Sequence, residues 1–129
     1  MEIMKITLPA VATAAATARG EVTRRLSARV AVAALEDVRL LLTELVTNAV
    51  RHSDIAAGER IDVKAELSDG TVRLEVHDPG RNGAPKPRAP GAREGGYGLF
   101  LVERLTKRWG IDRHDGTTVW AELAAGPAR

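Results

Sequence analysis

LLTELVTNAVRH, residues 41–52, is the stretch of this sequence with the clearest pattern. It belongs to a longer run, residues 35–51, in which apolar residues recur at spacings of three and four: Leu35, Val38, Leu42, Leu45 and Ala49. Such spacing predicts an amphipathic helix with one buried stripe. Glu44 and Asn48 lie four apart, so both side chains are expected on one face and within reach of one ligand. The same spacing is also typical of a surface pair whose members hydrogen-bond to each other.

The sequence on either side of this helix predicts a small α+β domain. The dipeptide Asp69-Gly70 separates two runs rich in β-branched residues, which is a strong hairpin signal. The predicted elements are, in order, an edge strand over residues 3–8 that stops at Pro9, a helix over 10–30, the helix over 35–51, strands over 61–67 and 71–77, a helix over 97–110, and strands over 109–113 and 117–123. Helices and hairpins without strict βαβ alternation predict a two-layer α+β sandwich, with helices on one face of a mixed sheet.

Composition predicts one globular domain over residues 1–129. Hydrophobic residues make up 44% of the chain and aromatic residues only 3%, so aliphatic side chains must fill the core. The net charge of +2 does not indicate a nucleic-acid partner. No apolar run approaches the roughly 20 residues needed to cross a bilayer, and no signal-peptide pattern opens the chain. A cytoplasmic protein without cysteine chemistry or membrane contact is expected.

Two further motifs carry chemistry. Asp78-Pro79-Gly80 follows a predicted strand; the carboxylate can accept a hydrogen bond from an exocyclic amine such as that of adenine, and Gly80 lets the backbone approach a flat ring. On its own this motif is also an ordinary turn. The run Gly95-Gly96-Tyr97-Gly98-Leu99 opens a predicted helix, where backbone N–H groups attract phosphate. Between the two, residues 79–95 are rich in proline and glycine and are predicted to form a mobile lid.

Taken in order, Glu-x-x-x-Asn, Asp-x-Gly and Gly-x-Gly-Leu resemble the N, G1 and G2 boxes of the GHKL ATPase superfamily, whose fold is the Bergerat ATP-binding fold. The phrases at residues 41–52 and 96–102 look most like the branch of bacterial anti-sigma-factor serine-protein kinases. The resemblance covers nearly the whole chain. It implies an ATP-binding, histidine kinase-like domain that uses magnesium.

The resemblance also implies a role for each matching residue. Asn48 is expected to bind Mg²⁺ through its side-chain oxygen, Glu44 to act as the general base, and Asp78 to read adenine. Residues 96–99 are expected to bind phosphate.

Two positions match the family more loosely. Arg51 stands where relatives often carry a basic residue near phosphate. Thr117 or Thr118 stands where a threonine on the last strand supports the adenine site.

The implied function is that of a serine/threonine-protein kinase that phosphorylates an anti-sigma-factor antagonist and sequesters a sigma factor, which makes it a transcription regulator. Relatives commonly pair through the N-terminal strand and helix, so residues 1–30 are the expected face of a homodimer. One departure from the family concerns the G1 box, which usually reads Asp-x-Gly-x-Gly. Here the second glycine, Gly83, comes one position late.

That departure leaves a second function open, a nucleotide-gated partner-binding module with little or no kinase activity. A histidine-kinase catalytic domain is a third interpretation. Such enzymes usually carry asparagine where Glu44 stands, and none of His52, His77 and His114 occupies a typical phosphoacceptor position.

Overall fold

Residues 1–53, 58–79 and 100–127 are described by a computed structural model of the chain. Within them the chain forms five strands and two complete helices, and residues 100–105 are also helical. The elements are β1 (Glu2–Pro9), α1 (Ala14–Leu26), α2 (Val32–His52), β2 (Arg60–Ser68), β3 (Thr71–Asp78), β4 (Arg108–Asp112) and β5 (Thr117–Ala124). Neither α1 nor α2 has an apolar stretch of the length needed to cross a bilayer.

The five strands form one sheet in the order β1-β2-β3-β5-β4. The predicted α+β class is confirmed. The prediction of a mixed sheet is wrong, because all four neighbouring strand pairs are antiparallel. Strands β3 and β4 follow each other in the chain and run in the same direction, but they are not neighbours in the sheet. Strand β5 lies between them and is antiparallel to both, so the sheet contains no parallel pair.

The hairpin signal is confirmed in detail. Asp69 and Gly70 both have positive φ angles, of 51° and 74°, as a two-residue type I′ turn requires. Glycine adopts such angles freely, and aspartate is among the few other residues that tolerate them. The turn sets the register in which Ser68 faces Thr71. In that register, successive residues of β3 point alternately into the core and away from it.

Both helices cover one face of the sheet and close a single aliphatic core. The buried stripe of α2 consists of Val38, Leu41, Leu42, Leu45, Val46 and Ala49, which packs against β3, β5 and β2. Helix α1 packs against α2 and β1 through Ala14, Ala18, Val22 and Leu26. Full burial of a leucine or valine side chain contributes about 1.5–3 kcal/mol, so this stripe accounts for the position of α2 on the sheet.

Both helices differ in their limits from the predicted ones. Helix α1 is shorter than residues 10–30 because the Ala10 N–H bonds to the Glu59 carbonyl (3.0 Å), which holds that residue to the start of β2. Helix α2 begins at Val32, three residues before the predicted start. Its N-cap is Ala31, whose side chain makes no capping hydrogen bond, so the sequence carries no signal for this boundary.

The helix predicted over residues 97–110 ends early. Its helical residues stop at 105, and Gly110 lies within β4. The Thr106 hydroxyl donates a hydrogen bond to the Val102 carbonyl (2.6 Å). This bond satisfies one of the carbonyl groups in the last turn of the helix. The Lys107 N–H then bonds to the Glu122 carbonyl (2.7 Å), so the chain joins β5 directly after the helix.

The sheet face away from the helices is polar and carries an ion network. Arg73 donates to Glu75 Oε2 (2.7 Å) and to Glu122 Oε2 (2.8 Å), and Arg108 donates twice to Glu122 Oε1 (3.0 and 2.8 Å). The Arg73 guanidinium also stacks on the Trp120 ring at 4.3 Å from its centroid. These contacts tie β3, β5 and β4 together. Hydrogen bonds from Arg108, and next those from Arg73, hold the pKa of Glu122 below its ordinary value.

Candidate functional site

A small cavity opens where the C-terminal half of α2 meets the ends of β3 and β5. Its enclosed volume is about 40 Å³, and it is lined by Leu45, Asn48, Ala49, Val76, Asp78, Thr117 and Val119. Pockets that enclose a small ligand measure about 300 Å³ or more. The enclosed part of this cavity is therefore far smaller than a nucleotide, which would have to extend beyond it.

The polar end of the cavity is formed by Asp78 and Thr117. These residues are cross-strand partners at the end of the β3–β5 ladder, and only 3% of Asp78 and 8% of Thr117 is exposed. The Thr117 hydroxyl forms no hydrogen bond with any described residue. A buried hydroxyl without a partner costs about 1–3 kcal/mol, and a hydrogen bond from this hydroxyl to a ligand in the cavity would offset that cost.

Helix α2 supplies Asn48 to the same cavity. Leu45, three residues before Asn48, and Ala49, directly after it, belong to the buried stripe. Asn48 therefore lies at the border between the core and solvent and is half-buried. Glu44 is half-buried one turn earlier on the helix, outside the cavity lining. Within the described part of the chain, neither side chain is engaged in a hydrogen bond, and both are therefore available to a ligand.

Besides Glu44, two predicted site residues within the described part of the chain do not line the cavity. Thr118 lies on the opposite face of the sheet, where its hydroxyl is 2.8 Å from Nδ1 of His77. Arg51 is exposed at the C-terminal end of α2. Of the two threonines left open by the sequence, the structure therefore brings only Thr117 to Asp78.

The remaining predicted positions lie outside the described residues. They are Gly80, the late glycine Gly83, residues 80–95 of the lid predicted over residues 79–95, and Gly96, Tyr97, Gly98 and Leu99.

Sequence reasoning missed Gly116, which directly precedes Thr117. Its φ is +97°, and a Cβ added there would lie 2.4 Å from the carbonyl oxygen of Asp78 and 2.6 Å from that of Pro79. The signal that could have found it is the dipeptide Asp115-Gly116, which repeats the Asp69-Gly70 pattern and connects β4 to β5.

The chemistry of this lining fits an adenine nucleotide. A buried carboxylate accepts a hydrogen bond from an exocyclic amine, the Thr117 hydroxyl can donate or accept beside it, and Leu45, Val76 and Val119 offer apolar contact to a ring. The side-chain oxygen of Asn48, at the mouth, is a ligand type that Mg²⁺ accepts together with phosphate oxygens and water.

Fold and motifs together define the class of this protein. A family model for the histidine kinase-like ATPase domain matches residues 8–123, and the chain belongs to that family. The GHKL resemblance seen in the sequence is thereby confirmed.

Individual relatives agree with this family. The chain is 29% identical over 99 residues to serine-protein kinase RsbW of Oceanobacillus iheyensis and, at the same level, to that of Staphylococcus epidermidis. The matches cover 66% of this chain and 62% of the length of these curated relatives.

Solved structures show the same fold. The blue-light activated histidine kinase of Erythrobacter litoralis EL346 superposes with a TM-score of 0.61 and 25% identity, over 74% of this chain and 32% of that one. A separate structure of the histidine kinase domain from that protein gives a TM-score of 0.56 at 24% identity, over 71% of this chain and 45% of that one.

Proposed function

We propose that this chain binds Mg²⁺-ATP in the cavity between α2, β3 and β5 and transfers the γ-phosphate to a serine or threonine hydroxyl of a partner protein. The observation that carries the proposal is the convergence of Asn48, Asp78 and Thr117, from three elements, on one cavity. Family membership and the similarity to serine-protein kinases support it. Following the resemblance in the sequence, the partners are an anti-sigma-factor antagonist, which is phosphorylated, and a sigma factor, which is sequestered.

Each site residue has a task in this proposal. Asp78 and Thr117 bind the adenine ring, and the Asp78 carboxylate disfavours guanine because guanine presents a carbonyl where adenine presents an amine. Asn48 would bind the metal through its side-chain oxygen, and bound magnesium would neutralise negative charge on the phosphates. Glu44, one turn away, accepts the proton of the attacking hydroxyl.

A second function is favoured by the position of Glu44. It stands outside the cavity lining, and no described residue orients its carboxylate by a hydrogen bond. The positions of Asn48, Asp78 and Thr117 therefore support nucleotide binding better than the position of Glu44 supports phosphate transfer. In this second function ATP binding controls a partner surface, and no phosphate is transferred.

One experiment tests both functions. The purified chain is incubated with ATP labelled at the γ-phosphate and with protein extract from its native cell, and labelled serine or threonine is sought. The kinase proposal expects a labelled protein with the wild type, loss of label with Glu44→Gln, and unchanged ATP affinity in that variant. Glu36→Gln, which changes another carboxylate on α2, is the matched control and should label normally.

The outcomes separate the functions. ATP binding without any labelled protein contradicts the kinase and supports the nucleotide-gated module. A wild type that binds no Mg²⁺-ATP contradicts both.

A further inference from the structure

Gly116 occupies a place in the fold that no side chain fits. Its α-carbon packs against the backbone at the end of β3, and an added Cβ would meet the Asp78 carbonyl oxygen at 2.4 Å, the Pro79 carbonyl oxygen at 2.6 Å and the Pro79 carbonyl carbon at 2.7 Å. Real side chains do not tolerate such distances to backbone atoms, because backbone cannot rotate away. The turn between β4 and β5 is therefore seated directly on the Asp78–Pro79 peptide.

The place of this contact matters because the β3–β5 ladder ends there. Asp78 and Thr117 form its terminal pair, and both of these buried polar residues line the cavity. The end of an antiparallel ladder frays unless something beyond it holds the strands together. Gly116 is the residue next to Thr117 and touches the backbone of Asp78, so it closes the ladder at that end.

From this geometry we propose that Gly116 is a positioning residue, which fixes the separation of Asp78 and Thr117 and thereby sets the affinity of the cavity for its nucleotide. The proposal rests on the proposed ATP-binding function. It assigns Gly116 no contact with the ligand; its effect passes through the backbone of β3 and the neighbouring Thr117.

The chain contains a matched control. Gly70 also follows an aspartate with positive φ, has a φ of +74° itself, and connects two antiparallel strands, but nothing lies within 4 Å of a Cβ added to it. Gly70→Ala therefore carries the conformational cost of a positive φ without a steric clash. Gly116→Ala carries both.

The test compares these two variants by calorimetric titration with Mg²⁺-ATP and by amide hydrogen exchange of the unliganded proteins. Gly116→Ala should weaken ATP binding by about tenfold or more, since misplaced hydrogen bonds at a buried pair cost on the order of 1.4 kcal/mol. It should also lower amide protection over residues 76–78 and 117–119. Gly70→Ala should leave both measurements close to those of the wild type.

Two additions keep the test decisive. Both variants are made in a Gly20→Ala background, which is expected to add stability, so that Gly116→Ala stays folded. Gly116→Asn is included because asparagine tolerates positive φ but still carries a Cβ. If the steric contact is what matters, Gly116→Asn should be as defective as Gly116→Ala.

The positioning role is contradicted if Gly116→Ala and Gly70→Ala have equal ATP affinities, or if asparagine at position 116 restores binding. A wild type that fails to bind ATP refutes the proposed function instead. In that case the exchange data alone decide whether Gly116 holds the two strands together.

Discussion

At the scale of single residues, the cavity contains a polar pair in an apolar surrounding. Asp78 and Thr117 are buried next to Val76 and Val119 and are paired across the β3–β5 ladder. The Thr117 hydroxyl forms no hydrogen bond with any described residue, and a buried hydroxyl is costly unless something binds it. The pairing of these two residues at one cavity supports the proposed site more strongly than either the Asp-Pro-Gly motif or the threonine does in the sequence.

The two adjacent threonines of β5 allow a paired prediction. Thr117→Val should reduce ATP affinity by up to about tenfold and leave the free energy of unfolding unchanged or slightly raised, since it removes a buried hydroxyl that bonds to no described residue. Thr118→Val should leave affinity unchanged and cost about 1 kcal/mol of stability, because it removes the hydrogen bond with His77. Titration calorimetry and urea unfolding measure the two effects. The assignment of Thr117 fails if both variants change ATP affinity alike.

The sequence predicted Glu44, Asn48 and Asp78 as site residues, of which Asn48 and Asp78 line the cavity, but it left Thr117 and Thr118 undecided. The cause is the two-residue period of a strand, because a shift of one residue moves every side chain to the other face. Only the pairing of Thr117 with Asp78 settles which threonine is inside. Gly116 was missed for a related reason, since its contacts are with residues far away in the sequence.

At the scale of elements, helix α1 contains an exposed glycine with open space around it. Nothing lies within 4 Å of a Cβ added at Gly20, and the residue is in the middle of the helix. Gly20→Ala should therefore raise the free energy of unfolding by about 0.5–1 kcal/mol through lower backbone entropy of the unfolded chain. Urea unfolding monitored by circular dichroism measures the change.

The opposite result is expected for a glycine in β4. A Cβ at Gly110 would lie 2.8–2.9 Å from atoms of the Trp120 ring, so Gly110→Ala must displace the indole and should be destabilising. If Gly20→Ala destabilises while Gly110→Ala does not, the positions assigned to α1 and β4 are wrong.

Element types were predictable from periodicity, whereas several limits were not. Helix α2 and the β2–β3 hairpin follow from local pattern, because the buried stripe and the Asp-Gly turn are short-range signals. The end of helical residues at 105 depends on the bond from Lys107 to Glu122, a residue on another strand. Local sequence propensity cannot predict a contact of this kind.

At the scale of the whole molecule, the sheet connects the cavity lined by Asp78 and Thr117 to an ion network on its outer face. Strand β5 carries Thr117 on one face and Glu122 in the network on the other. Sequence alone predicted neither this network nor the antiparallel order β3-β5-β4, because both depend on which strands become neighbours. The homodimer face over residues 1–30, the single domain and the cytoplasmic location stay predictions.

The network predicts a pH dependence of stability. Since the folded pKa of Glu122 lies below its unfolded value of about 4.3, its contribution is complete at neutral pH. The contribution is lost as the pH falls through the unfolded and then the folded pKa. Glu122→Gln should lower stability at pH 7 and make the stability profile flatter below about pH 5.

The control for this prediction is Glu66→Gln on β2. Glu66 pairs with Lys64 at a longer distance of 3.4 Å, and its replacement should preserve the slope of the acid limb. Urea unfolding at pH values from 3 to 7 compares the variants. An unchanged slope in Glu122→Gln would refute the role given to this network.

The central claim is that α2, β3 and β5 together form one site for Mg²⁺-ATP. Calorimetric titration of the wild type and of Asn48→Ala with ATP, in the presence and absence of magnesium, tests it most directly, with Thr47→Ala as the neighbouring control. We expect magnesium-dependent binding at one site per chain, preference for ATP over GTP, and loss of the magnesium dependence only in Asn48→Ala. Absence of binding by the wild type, or equal affinity for ATP and GTP, would contradict it.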